Sequence, residues 1–151
     1  MENKHIRAIV IIVILAAVII IGGFLIIGRK ASAPIPTEPE SQVLVSPSGK
    51  LSIDNLVQNQ VIQTSFTVTG VVQGWFFEGS FPVFMKDSNG NQIGVGLASS
   101  SQDWMTANPI PFSVTLPGTN YVGPGTLVFT KDNPSGEPQF DDSYTVPVVF
   151  Q

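Results

Sequence analysis

Two hydrophobic patterns divide the chain. From Ala8 to Gly28 the stretch AIVIIVILAAVIIIGGFLIIG runs for 21 residues without a charge. As a helix rising ~1.5 Å per residue it spans ~31 Å, about one bilayer core, and it lacks the polar face of a soluble helix. The pattern therefore predicts a membrane-spanning helix over 8–28. From Lys50 onward, β-branched and aromatic runs alternate with clusters of Gly, Pro, Asn and Asp roughly every 8–14 residues. These runs predict strands over 50–56, 61–72, 80–87, 92–99, 111–117, 125–131 and 143–150. In SFTVTGVV, Phe66, Val68 and Gly70 share one face and Thr67 and Thr69 the other. In SFPVFMKD, Phe81, Val83 and Met85 share a face. Pro82 has no N–H for a ladder, so its strand is expected to be an edge or bulged there. Asn89-Gly90 separates two such runs and predicts a two-residue type I′ hairpin turn.

About seven short strands in ~100 residues predict an all-β fold, an immunoglobulin-like antiparallel β-sandwich preceded by a single N-terminal transmembrane helix. Between helix and strands lies ASAPIPTEPESQ, 31–42, whose prolines disfavour helix and whose composition offers little to bury. It reads as an extended stalk. The chain then divides into a cytoplasmic tail (1–7), an anchor (8–28), a Pro/Ser-rich stalk (29–49) and a folded domain (50–151), with 43–50 either ending the stalk or opening the domain. Ala31-Ser32-Ala33 resembles a signal-cleavage site. However, Arg29 and Lys30 separate it from the apolar run, which exceeds the roughly 7–15 residues of a cleaved signal. A retained anchor is expected.

Charge changes the picture in two ways. Residues 1–30 carry Lys4, Arg7, Arg29 and Lys30 against Glu2, whereas 31–151 carry Lys50, Lys86 and Lys131 against ten acids. A domain so acidic repels phosphate backbones, which argues against a nucleic-acid partner. Basic residues flank both ends of the apolar run, so the positive-inside rule is nearly balanced. The tail has only seven residues and long domains cross largely regardless of charge, so the tail is expected inside and 31–151 outside. The chain has no cysteine, which excludes disulfides, thiolate metal sites and Cys nucleophiles.

Candidate chemistry concentrates in GWFFEGSFPVFMKD, 74–87, where Glu78 sits among aromatics. A catalytic carboxylate needs a partner. The only histidine, His5, precedes the apolar run, so no Ser-His-Asp arrangement is available to the domain. Glu78, Asp87, Asp103 and Asp132 leave a carboxylate pair open by count alone. The competing reading, and the expected one, is a structural Glu78 whose carboxylate caps backbone N–H groups at a bend. Trp75, Phe76, Phe77 and Trp104 suit either a core or a platform for sugars or a partner. Phe76 and Phe77 are adjacent, so a regular strand points them to opposite faces and only one can be core. Asp87, Asn89 and Asn91 alternate as at the start of a calcium loop, but Ala98 stands where the bidentate Glu belongs. A plain turn without metal is expected.

Several short blocks carry a family resemblance. SFTVTGVVQGWFFEGSFPVFMKDSNGNQI is followed in order by DWMTANPIPFSVTL (103–116), GTLVFTKDNPSG (125–136) and YTVPVVF (144–150). Together these resemble the Gmad2 domain, the immunoglobulin-like domain of bacterial sporulation and germination proteins, over about residues 50–150. The most specific blocks are Trp75-Phe76-Phe77-Glu78, Trp104-Met105-Thr106 and Lys131-Asp132-Asn133-Pro134-Ser135-Gly136. The resemblance implies a sandwich outside a bacterial cell, used for interaction, with no catalytic residues and no cofactor; it implies a structural role for those blocks. Many relatives carry a second module that this sequence lacks, so a germination role does not transfer. The function expected is a membrane-anchored, non-catalytic module binding another protein. A glycan-binding module for peptidoglycan or surface polysaccharide is the alternative, and an envelope enzyme the least favoured.

The anchor reading predicts that the full chain partitions with membranes. Protease added to intact cells, or to spheroplasts where a wall blocks access, should cut within 31–49. A stalk protected until lysis would reverse the orientation.

Overall fold

The computed structural model describes residues 43–151; the expected tail, the 8–28 anchor and residues 29–42 of the stalk lie outside the described residues. Among the described residues no helix is long and apolar enough to cross a membrane. The fold is all-β. Its strands are β1 (Leu44–Val45), β2 (Leu51–Ile53), β3 (Gln60–Ile62), β4 (Phe66–Val72), β5 (Ser80–Asp87), β6 (Gln92–Ser99), β7 (Ile110–Leu116), β8 (Gly123–Thr130) and β9 (Ser143–Phe150). They form one curled open sheet in the order β1-β2-β4-β7-β6-β5-β8-β9-β3. Neighbours are antiparallel except β3, which runs parallel to β9.

The expected count of about seven strands falls short by two. The run 61–72 is not one strand. Gln63-Thr64-Ser65 lies between β3, which pairs with β9 at one edge of the sheet, and β4, which pairs with β2 and β7 in the other half. The other addition, β1, lies within the stretch read as stalk. There Leu44 is buried, the Ser46 N–H donates to the Leu51 carbonyl (2.9 Å), and the Leu51 N–H donates to the Ser46 hydroxyl (3.1 Å). The sheet's free edges, β1 and β3, are two and three residues long. Such short edges offer little template for pairing with another chain.

The curl turns the two halves of the sheet toward one another around one core. Leu51, Val68, Val72 and Phe112 enter it from one half, and Phe81, Val83, Leu127, Phe129 and Phe150 from the other. Both phases read from the sequence hold: Val68 and Gly70 are buried while Thr67 is exposed, and Phe81, Val83 and Met85 are all buried. A chain of edge-to-face rings crosses the core, from Trp75 to Phe81 (5.6 Å), Phe81 to Phe112 (5.3 Å) and Phe112 to Phe129 (6.4 Å). Pro82 sits one residue outside the β5–β8 ladder, which starts at Val83, so its missing N–H breaks no bond there.

The halves meet at β6 and β7, joined in register by a single pair, Ser99 and Ser113. Elsewhere along this seam β6 packs its backbone on β7. A side-chain carbon at Gly96 would lie 2.7 Å from Val114 Cγ2 and 3.1 Å from the Thr115 carbonyl oxygen. The inward positions of β6 are therefore Gly94, Gly96 and Ala98, and its larger residues, Val95 and Leu97, face out. A second clasp closes the far end. The Tyr121 hydroxyl donates to the Pro124 carbonyl (2.8 Å) and accepts the Ser88 N–H (3.4 Å), tying the β7–β8 loop to the β5–β6 hairpin.

That hairpin differs from the expected type I′ turn. Asp87 N–H bonds Asn91 O, enclosing three residues, and only Gly90 has positive φ (83°). This is the three-residue loop in which a type I turn is followed by a left-handed glycine. Asp87 selects it. One carboxylate oxygen accepts the N–H of Asn89 and of Asn91, both at 2.8 Å, and the other accepts Asn91 Nδ2 at 3.0 Å.

The Asn91 side chain, opposed by desolvation and aided by the turn's backbone N–H groups, holds the Asp87 carboxyl below its ordinary value of 3.8. A depressed folded-state pKa favours folding above the ordinary value, and that contribution disappears as pH falls through the lowered one. Asp87→Asn should therefore cost stability at neutral pH, and the gap from the parent should close below pH 3.8 as Asp87 protonates. Thermal melts of both proteins across acidic pH test this; a gap independent of pH would refute it.

Candidate functional site

The three blocks singled out in the sequence converge on one corner of the fold. Trp75 follows β4 and is wholly buried. Its indole N–H donates to Asp142 Oδ2 (3.2 Å) at the start of β9, and its carbonyl accepts the Asp132 N–H (3.2 Å). Phe76 is half-buried against Phe81, with ring centroids 5.2 Å apart, while Phe77 faces out and is 39% exposed. The adjacent pair thus splits between core and surface, although it lies between β4 and β5 and not within a regular strand.

Glu78 does not cap the bend. It is exposed, with φ 51°, and Gly79 follows with φ 80°. Phe77 and Ser80 exchange both backbone hydrogen bonds around them (3.3 and 3.2 Å). Two central residues at positive φ between a closely bonded pair make a type I′ turn. Glu78 contributes its backbone, in a conformation uncommon for a residue with a Cβ, and its carboxylate accepts no hydrogen bond among the described residues. Gly79 is required twice. Its φ is positive, and a Cβ there would lie 3.3 Å from the Trp104 indole nitrogen.

Trp104 is half-buried over that glycine, in the segment that carries the chain from β6 to β7. Neighbouring side chains hold the segment. Asp103 Oδ1 accepts the Met105 N–H (3.0 Å), Thr106 Oγ1 accepts the Asn108 N–H (3.1 Å), and Gln73 Nε2 donates to the Ala107 carbonyl (2.7 Å). Met105 is 74% exposed. In the third block, Asn133-Pro134-Ser135-Gly136 is a turn closed by Gly136 N–H on Asn133 O (3.2 Å). Asn133 Nδ2 reaches the Glu137 carbonyl (2.9 Å) and Asp141 Oδ1 (2.8 Å), Ser135 Oγ donates to Asn133 Oδ1 (2.6 Å), and Lys131 Nζ donates to the Phe140 carbonyl (3.0 Å). The polar groups of these blocks are largely occupied with holding loops together.

Metal-ligating and acid–base groups do not gather at this corner. No group of three or more His, Cys, Asp or Glu able to hold a metal ion occurs among the described residues. Both oxygens of Asp87 are committed to their own turn. The depressions in the surface are shallow. One is lined by Ser99, Ser100, Ser101, Pro111, Phe112 and Ser113, the other by Val128, Thr130, Asp141, Asp142 and Ser143.

A feature that sequence reasoning missed lies on the outer face of β6, β5 and β8. Cross-strand register places Val95 beside Phe84 and Phe84 beside Val128, with Leu97 beside Pro82 in the next row. Leu97 is 65% and Val95 42% exposed, and the other three are partly exposed. The outer face of the opposite half is mostly polar: it carries Ser52, Thr67, Thr69, Ser113 and Thr115 beside Val71 and Pro111, with a Thr67–Thr115 hydroxyl bond of 3.0 Å. The signal for this asymmetry is present in GVGL, 94–97. Alternating glycines mark the packed side of a strand whose valine and leucine must then point outward.

No family model, curated protein or solved structure matches this chain.

The turn reading of Glu78 has a measurable consequence. Glu78→Asn places a residue tolerant of positive φ in the type I′ turn and should stabilise the fold by roughly 0.5–1 kcal/mol, a rise of several degrees in melting temperature. Glu78→Val should lower it. Destabilisation by Glu78→Asn would restore a role for the carboxylate.

Proposed function

We propose that this chain is a membrane-anchored, non-catalytic interaction module on the outside of a bacterial cell envelope, an immunoglobulin-like sandwich of the Gmad2 kind that binds another protein. The strand grouping supports the fold assignment: β2-β4-β7 on one side and β6-β5-β8-β9 on the other match the ABE and C′CFG groupings of an immunoglobulin-type sandwich. The apolar run 8–28 supports the anchor. The turn role of Glu78 and the loop-holding roles of Asp132, Asn133 and Asp142 support a non-catalytic reading.

The observation that carries the partner assignment is the apolar outer face of Pro82, Phe84, Val95, Leu97 and Val128. Other exposed apolar side chains, such as Met105 and Val122, stand singly, whereas these five adjoin across three strands, and a contiguous apolar patch marks a contact site for protein. The glycan reading draws on Phe77 and Phe140, which are 39% and 50% exposed. An exposed ring can stack on a sugar, but both lie on loops flanking the sheet.

Crosslinking on intact membranes, followed by recovery of the tagged full chain, separates the readings. A partner protein should be captured, with loss of on the order of tenfold in Leu97→Asp. Capture should survive Phe77→Ala. Retention of polysaccharide that is lost in Phe77→Ala and kept in Leu97→Asp would replace the protein reading with the glycan one.

A further inference from the structure

The apolar face has a charge pattern that selects a partner. The described body is acidic, with Lys50, Lys86 and Lys131 against eight Asp and Glu. Strands β6, β8 and β9 contain no charged residue, and β5 contains only Lys86 and Asp87 at its end. Two copies of an acidic body can approach on this face without meeting acid on acid; β2, β4 and β7 of the opposite half are also uncharged, but their outward positions are mostly Ser and Thr.

Its corners differ in sign. Lys86 points outward at one end, in register with Thr126 and Gln92, and among the described residues it has no ion-pair partner. At the other end, diagonally across the face, Asp141 and Asp142 precede β9 and flank the shallow depression that includes Val128 and Thr130. A two-fold axis lying in the plane of the face, perpendicular to the line joining these corners, sets Lys86 of each copy against the acidic corner of the other. The same operation lays the apolar cluster between the corners on that of the other copy. Isologous contacts require such self-complementarity.

Resting on the interaction-module reading above, we infer that the protein docked on this face is a second copy of this chain, forming a two-fold dimer across β6, β5 and β8. Counting the adjacent β9, four strands ~4.8 Å apart and seven residues of ~3.4 Å give a face of about 19 by 24 Å. That is short of the ~800 Å² per partner of a standard interface, so the dimer is reversible and depends on concentration. Leu97, the most exposed of the apolar residues on this face, is the main contact and Lys86 with Asp141 fixes the register.

The absence of native cysteine makes the test direct, because any introduced thiol is unique. The full chain carrying Leu97→Cys, held in membranes and treated with a mild oxidant, should form a disulfide-linked dimer on a non-reducing gel. Thr115→Cys, exposed on the opposite outer face, should not. In the Leu97→Cys background, Lys86→Glu should reduce the crosslink several-fold, and so should Asp141→Lys. Combined in one chain they should restore it, which a folding defect could not do. Mixing the two charge variants should also restore it, since both contacts are then opposite in sign. Equal crosslinking at Thr115→Cys, no dimer at Leu97→Cys, or no restoration in the double variant would overturn the homodimer. If partner capture still depended on Leu97 in those circumstances, the interaction-module reading would stand and only the identity of the partner would fall.

Discussion

The close approach of β6 to β7 is the constraint from which most of the structure follows. One register pair, Ser99 with Ser113, links the halves of the sheet, and no ladder continues from it. The halves stay together because β6 presents glycine and alanine to β7, so that backbone packs on Val114, Leu116 and the Thr115 carbonyl. A side chain at Gly96 would push the strands apart by more than the core can absorb, since packed interiors tolerate extra volume poorly. With the seam closed, rings from both halves meet, and the Trp75–Phe81–Phe112–Phe129 chain becomes continuous. The same glycines decide what the outside looks like. Along Gly94–Ala98 β6 contributes almost no inward volume, and the larger residues there, Val95 and Leu97, face solvent, while Ile93 at its start packs against the core.

The Trp75 corner depends on this closure and does a different job. A buried indole needs a partner for its N–H, and Asp142 supplies it from the start of β9. That bond, together with the Asp132 N–H on the Trp75 carbonyl, fixes the β8–β9 loop relative to the turn after β4. Trp104 closes the arrangement from outside by covering Gly79. Three segments far apart in sequence are thereby joined by two hydrogen bonds and one ring-on-glycine contact. Their unusual residues are explained by packing, without appeal to a substrate.

Much of this was legible in the sequence, and the failures have physical causes. The bounds of β5, β6 and β9 coincide with the expected 80–87, 92–99 and 143–150, because each is a β-rich run between strong turn formers. The type I′ turn and the capping carboxylate were both anticipated but at exchanged positions. Asn89-Gly90 has the best I′ composition, yet Asp87 two residues earlier can accept the N–H groups of Asn89 and Asn91, and that favours a three-residue loop. Glu78-Gly79 has poorer I′ composition, yet Trp75 and Ser80 are fixed by the core and the β5 ladder, leaving room for only two residues between Phe77 and Ser80. Tertiary closure overrode local preference in both places. The split of 61–72 was hidden for a related reason. Gln63-Thr64-Ser65 is only weakly strand-breaking, and what separates β3 from β4 is the parallel partner β9, far away in sequence.

The outer face was missed because alternation reveals two faces without saying which is core. In SFPVFMKD both phases contain apolar residues, and burial chose Phe81, Val83 and Met85. In GVGLAS the larger residues are the outward ones, contrary to the usual assumption that volume goes inside. A strand with glycine inside and leucine outside gains little core from its own side chains, so its outward apolar residues are not accounted for by folding. Leaving Leu97 in water forgoes roughly 1.5–3 kcal/mol of transfer free energy that a polar residue there would not place at stake. On the opposite half the outward positions are mostly Thr and Ser, with Val71 and Pro111 at one end and a Thr67–Thr115 hydroxyl bond across the strands. The two outer faces are built on the same pleat and with the same period. The difference between them lies in what each strand turns inward: with Gly94, Gly96 and Ala98 on the packed side of β6, Val95 and Leu97 are left on the outside.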